Sequence, residues 1–232
     1  SLGLTTMAKL WNTGMPCNKF LLLRQITIRC TNQKKINHLQ YLMNKLREII
    51  AVNSSGKKVA LLFILTNLIY AFMLLVTIPK TVAYSGGMKL LDMMPQGYNS
   101  EYVNELFKKL GKEGRDVYLF NQIPVDMVYP FLFGITYTLL MGYFLIKLDK
   151  LSTSFFYLCL LPIIGGIADY LENIGIITML NDYPDLSHEQ ISTTNFFSII
   201  KSLSTTLFFI TLIVVIILIG IRSLKLKRSG KN

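Results

Sequence analysis

The chain has 232 residues, of which 52% are hydrophobic and 16% charged, and it carries a formal net charge of +11 at pH 7 with a mean hydropathy of +0.45. It is too apolar for an ordinary soluble domain and too short for a large transporter. The three cysteines, Cys17, Cys30 and Cys159, form no C-x-x-C pair, and His38 and His188 offer no zinc spacing, which argues against a disulfide framework, a thiol redox enzyme and a zinc centre.

Residues 1–42 contain scattered Lys and Arg, no acid and the lone Trp11, with no sustained amphipathic pattern. Three readings compete: a disordered basic arm, a transit-like presequence, and vector or upstream sequence ahead of a start at Met43. The third is favoured, so 1–42 is expected to be a disordered or non-native leader and 43–232 a single domain. Four apolar runs follow at 59–77, 125–145, 155–180 and 196–221, each about the 20 residues that cross a bilayer as helix. They are continuous and do not alternate, which argues against a β-barrel. The predicted fold is all-α, a bundle of four transmembrane helices.

The segment 80–124 is the only sizeable extramembrane part. Met88 to Met94, bounded by Pro95 and Gly97, suits a short helix on the membrane surface. Asn99 or Ser100 can cap a helix whose apolar residues Tyr102, Val103, Leu106, Phe107 and Leu110 recur at helical spacing, and Gly111 or Gly114 can stop it. A second amphipathic stretch, Arg115 to Gln122, leads into the second span. The expectation is a short amphipathic helical cap that touches the bilayer.

Charge placement orients the chain. Residues 1–58 hold ten Lys/Arg and one acid, the 146–152 loop holds Lys147 and Lys150 against Asp149, and 222–232 hold five Lys/Arg and no acid. The 181–195 loop has Asp182, Asp185 and Glu189 and no base. The positive-inside rule then puts both termini in the cytoplasm and the cap outside, with a bacterial inner membrane the expected location. The basic charge sits beside membrane ends, where it meets anionic lipid; the bilayer is the expected partner and nucleic acid is not.

The third run contains Asp169, Glu172 and Asn173, at i, i+3 and i+4, on one face of a helix that otherwise belongs in hydrocarbon. Charges at the bilayer centre cost about 2.5–3.5 kcal/mol each on insertion scales. Upstream, Pro162 predicts a kink, and Gly165, Gly166 and Ala168 admit a close neighbour. The fourth run supplies Ser198, Lys201, Ser202 and Thr205 on one stripe, the first Asn67 and Tyr70, and the second Asp126 and Tyr129. Register brings these groups to similar depth. The candidate polar site is Asp169, Glu172, Asn173 and Lys201, supported by Asn67, Tyr70, Asp126, Tyr129, Ser198, Ser202 and Thr205. Counting Asp169, Glu172 and Lys201 leaves one negative charge, so one carboxyl is expected to hold a proton while the other pairs with Lys201.

Three functions fit this pattern: binding or passage of a small polar species, a lipid headgroup or a proton; an intramembrane acid–base hydrolase or isomerase; and a structural or assembly subunit whose cluster fixes helix packing. The first leads. The Ser198–Lys201 spacing allows a Ser–Lys dyad, but no Gly-Leu-Gly-Asp pattern, nucleophile elbow or Gly-rich phosphate loop is present. No metal or cofactor is expected, and the spacing says nothing about oligomeric state.

Overall fold

The computed structural model describes the backbone of residues 17–229 and the side chains of 32–225. The chain divides into two units, Ser1–Ile49 and Ile50–Asn232. In the first, helix α1 (Cys17–Asn53) begins inside the stretch read as a leader; residues 1–16 of that leader lie outside the described residues. Its side chains from 32 to 42 are largely exposed.

The second unit is the four-helix bundle. Helices α2 (Gly56–Val82), α3 (Ser100–Lys147), α4 (Ser154–Asp182) and α5 (His188–Ser229) are each long and apolar enough to cross a membrane, and no strand is present among the described residues. The chain is an integral membrane protein with an all-α fold. The elements exceed the apolar runs that announced them, because helix continues past the hydrocarbon-compatible residues at both ends. The start of α2 approaches the end of α3, where a Cβ on Gly56 would lie 3.3 Å from the Tyr143 hydroxyl. Arg222 of α5 donates to the Lys147 carbonyl at 2.8 Å and pairs with Asp149 at 2.7 Å. These groups mark one end of the bundle; the cap marks the other.

Irregular turns sit beside prolines. A π-turn at Met73–Thr77 precedes Pro79 in α2, and another at Tyr118–Gln122 precedes Pro124 in α3. A proline removes one helical hydrogen bond, and a widened turn is one way to re-satisfy the carbonyl left behind. In α4, Pro162 produces no kink within a continuous α-helix. Residues Ser154–Leu160 are 3-10, and Pro162 stands in the first turn of the α segment Leu161–Asp182, where its missing N–H costs nothing. Pro130 lies inside α3 with no such relief on its own helix.

The cap forms as its pattern predicts but faces elsewhere. Asn99 Oδ1 accepts from the Tyr102 backbone N–H at 2.9 Å, starting the arm Ser100–Val117. Gly111, at φ 62°, bends this arm without ending it, and the arm continues through the π-turn into the membrane segment Ile123–Lys147. Val103, Leu106, Phe107 and Leu110 pack against Ile176, Met179 and Leu180 of α4 and Ile191 of α5. The face expected on the bilayer is thus buried in protein, because the protruding ends of α4 and α5 offer it an equally apolar surface. Met88–Met94 is no surface helix. Only Leu91–Met93 form a single 3-10 turn, and Leu90 and Leu91 are completely buried in the same core.

Candidate functional site

Lys201, near the cap end of α5, is the centre of the polar cluster. Its ammonium pairs with Glu172 Oε2 and lies 3.3 Å from Asp169 Oδ1, both on α4, and 3.4 Å from the carbonyl of Asp92 in the cap loop. Both carboxylates therefore meet Lys201, where charge counting predicted one. An ammonium has three protons, and three acceptors surround this one.

One arm of the network runs from Glu172 toward the cap. Ser198, one turn before Lys201, donates to Glu172 Oε1 at 2.5 Å, and its Oγ lies 3.3 Å from the Tyr98 hydroxyl. Glu172 is fully buried and Ser198 nearly so. Tyr98, in the cap loop, is 8% exposed, and burial pushes its phenol above the usual range. Ser198 therefore serves Glu172, and the sequence-suggested dyad with Lys201 does not form. With its three acceptors, Lys201 is no free amine base.

Asn173 has a separate task. Pro130 cannot donate to the carbonyl four residues before it, which is that of Asp126. The Asn173 amide of α4 donates to this carbonyl at 3.3 Å. The substitute donor reaches it because α3 and α4 cross closely: a Cβ on Gly166 would lie 2.8 Å from the Pro130 carbonyl oxygen.

The other arm starts at Asp92. Its Oδ1 accepts from the Tyr118 hydroxyl at 2.5 Å and its Oδ2 from the Gln122 amide at 3.3 Å. Gln122 Oε1 in turn accepts from Thr77 at 2.5 Å, which ties the π-turns of α2 and α3 together. Sequence reasoning missed Asp92, Tyr98, Tyr118, Gln122 and Thr77. The available signal was Asp92 itself, a lone acid in the apolar run Met88–Met94.

Between the arms lies a cavity of about 430 Å³. Asp92, Asp126, Asp169 and Lys201 supply its charged lining, and Tyr70, Tyr129 and Phe133 its aromatic wall; Ser202 and Thr205 also face it. Tyr70 stacks on Tyr129 with ring centroids 5.3 Å apart, and Tyr129 meets Phe133 at 5.8 Å. Asp126 is 4% exposed, and its Oδ2 is buried with no hydrogen-bond partner. Glu172, Asn173 and Ser198 do not line the cavity. Asn67 does not either; it donates back to the Phe63 carbonyl of its own helix at 2.7 Å. Thr205 likewise donates to the Lys201 carbonyl at 2.7 Å.

Of the predicted cluster, Asp169 and Glu172 meet Lys201, Asn173 bonds the Asp126 carbonyl instead, Asn67 stands apart and Asp126 lies on the cavity wall. Among the described residues, no group of three or more His, Cys, Asp or Glu gathers as a metal site. No protein-family model, curated protein or solved structure matches the chain.

Proposed function

We propose that this protein binds a small polar species in the cavity at the cap end of its bundle, and that the species presents a hydrogen-bond donor to Asp126. The observation that carries this reading is the buried, unpartnered Oδ2 of Asp126 on the wall of a cavity of about 430 Å³. A buried acceptor without a partner costs about 1–3 kcal/mol, more if charged, and a bound donor removes that cost. The lining adds a preference for cations. Three carboxylates, those of Asp92, Asp126 and Asp169, face one ammonium, and aromatic faces attract positive charge. Under the positive-inside rule the basic end of the bundle is cytoplasmic, with both termini there, and the cavity opens in the outer half of a bacterial inner membrane.

Calorimetric titration of the purified protein with ethylammonium and with acetate tests the reading. Saturable binding of ethylammonium, absent for acetate and weakened at least tenfold by Asp126→Asn, is expected. Equal response to both ions, or none to either, overturns it.

A structural role is the second reading, and the Glu172–Ser198–Tyr98 arm favours it. Those groups are sealed from the cavity and engaged with one another, as residues that fix helix register are. The two readings concern different residues and are compatible in one molecule.

A further inference from the structure

We infer that the cavity's occupant is a long-chain primary amine that enters sideways from the bilayer between α2 and α5, its ammonium on Asp126 and its alkyl chain along the aromatic wall. This rests on the binding function proposed above and names its ligand class.

The headgroup follows from which polar atoms remain unused. Lys201 has three acceptors around it, Asp169, Glu172 and the Asp92 carbonyl, so an anionic group finds no donor there. Both Asp92 oxygens are engaged by Tyr118 and Gln122. Among the carboxylates that line the cavity, the buried oxygen left without a partner is Asp126 Oδ2. A phosphate, a carboxylate or a zwitterionic headgroup would bring an anion into a lining that already has a surplus of acids.

The tail follows from volume and lining. The cavity, at about 430 Å³, is more than ten times the roughly 30 Å³ share of one water molecule. An ammonium fills a small part of it. The remainder is bounded largely by Met73, Leu74, Ile78, Phe133 and the rings of Tyr70 and Tyr129, which give an alkyl chain contact.

The entrance follows from helix packing. The bundle's extensive contacts run α2 on α3, α3 on α4 and α4 on α5. Helices α2 and α5 instead stand on either side of the cavity, α2 contributing Tyr70 and Leu74 and α5 contributing Ser202 and Thr206. Tyr70 and Leu74 are each about two-fifths exposed, at 41% and 43%, and Thr206 is also exposed. At the cap end the cavity is roofed by Asp92, Met93 and Pro95. A side entrance at the depth of the hydrocarbon admits an amphipath already dissolved in the bilayer.

The test uses the full chain in phosphatidylcholine nanodiscs with radiolabelled dodecylammonium, ethylammonium and dodecanoate, compared at equal mole fraction in the disc. Dodecylammonium should saturate at one per protein and bind at least tenfold more tightly than ethylammonium. Dodecanoate should not saturate. Asp126→Asn should weaken dodecylammonium at least tenfold. The paired substitutions Leu74→Trp and Thr206→Trp, which narrow the gap, should slow its association at least fivefold. Melting curves of each variant establish that it is folded. If both amines bind alike, or if narrowing the gap changes nothing, the amphipath and its lateral entry are wrong while cation binding stands. If dodecanoate saturates as dodecylammonium does, the charge preference fails with it. If no amine binds, this inference and the proposed function fall together.

Discussion

On one side of Lys201, Glu172 is completely buried and both its oxygens are engaged, Oε1 by Ser198 and Oε2 by the ammonium. On the other side, Asp126 is almost as deeply buried, yet one oxygen has no partner and borders a cavity. The two carboxylates are buried in the same bundle, and burial costs each its hydration. A carboxylate that is fully engaged stabilises helix packing once it is buried. One left unengaged opposes folding and is retained for something else. Function in this bundle is to be sought where an unengaged buried carboxylate borders a cavity, and that place is Asp126.

The largest way to break the comparison is to remove what the halves share. Lys201→Met strands Asp169 and Glu172 together in a low-dielectric interior, which is expected to cost about 3–5 kcal/mol and to show as a large fall in melting temperature in detergent. Adding Asp169→Asn and Glu172→Gln to that variant should recover most of the loss, because no charge is then left unpaired. A single variant that melts like wild type would mean the ion pairs do not hold α4 to α5.

Next in size is the close crossing of α3 and α4. Gly166→Ala drives a Cβ toward the Pro130 carbonyl oxygen, 2.8 Å away, and a backbone atom cannot swing aside. A loss of about 1–3 kcal/mol is expected, as for other overpacked sites. Gly165→Ala, whose nearest atom is the Thr205 hydroxyl at 3.4 Å, should be milder. Equal melting temperatures for the two variants would show that the helices separate freely, and with them the engaged half of the cluster.

A smaller effect isolates Asn173. Asn173→Leu leaves the Asp126 carbonyl without its donor, worth about 1 kcal/mol in a membrane setting. In a Pro130→Ala background the helix regains an N–H at position 130, and the same substitution should then cost much less. A double-mutant cycle reads this coupling directly, and additive effects would sink the assignment of Asn173 as the stand-in for the proline's missing donor.

Much of this was legible in the sequence, for identifiable reasons. Asp169, Glu172, Asn173 and Lys201 stand out because a charge in an apolar helical run has no surface to reach, and i, i+3, i+4 spacing puts such residues on one face. The four spans are legible because bilayer thickness fixes their length. Asp92 was hidden because it sits in irregular chain, where no periodicity says which way a side chain points. The partnership of Asn173 with Asp126 was hidden because it depends on a proline in another helix. The contact face of the cap was misread because the cap ends of α4 and α5 offer it Ile176, Met179, Leu180 and Ile191, a surface as apolar as lipid. A hydrophobic stripe on a helix records that it is covered without recording by what.

Asp126→Asn is the substitution whose effect on stability should be smallest, and it distinguishes the halves most sharply. It keeps the side chain's shape and puts a neutral amide where a carboxylate lacks a partner, so the melting temperature of the ligand-free protein should stay the same or rise. Glu172→Gln, equally conservative in shape, weakens the pairing with Lys201 and should lower it. If ligand-free Asp126→Asn instead melts several degrees below wild type, Asp126 is engaged in the fold as Glu172 is, and the contrast between the two carboxylates disappears. If stability is kept while ethylammonium binding is lost, the carboxylate stands where it does at a cost to folding, and occupancy of the cavity is what offsets that cost.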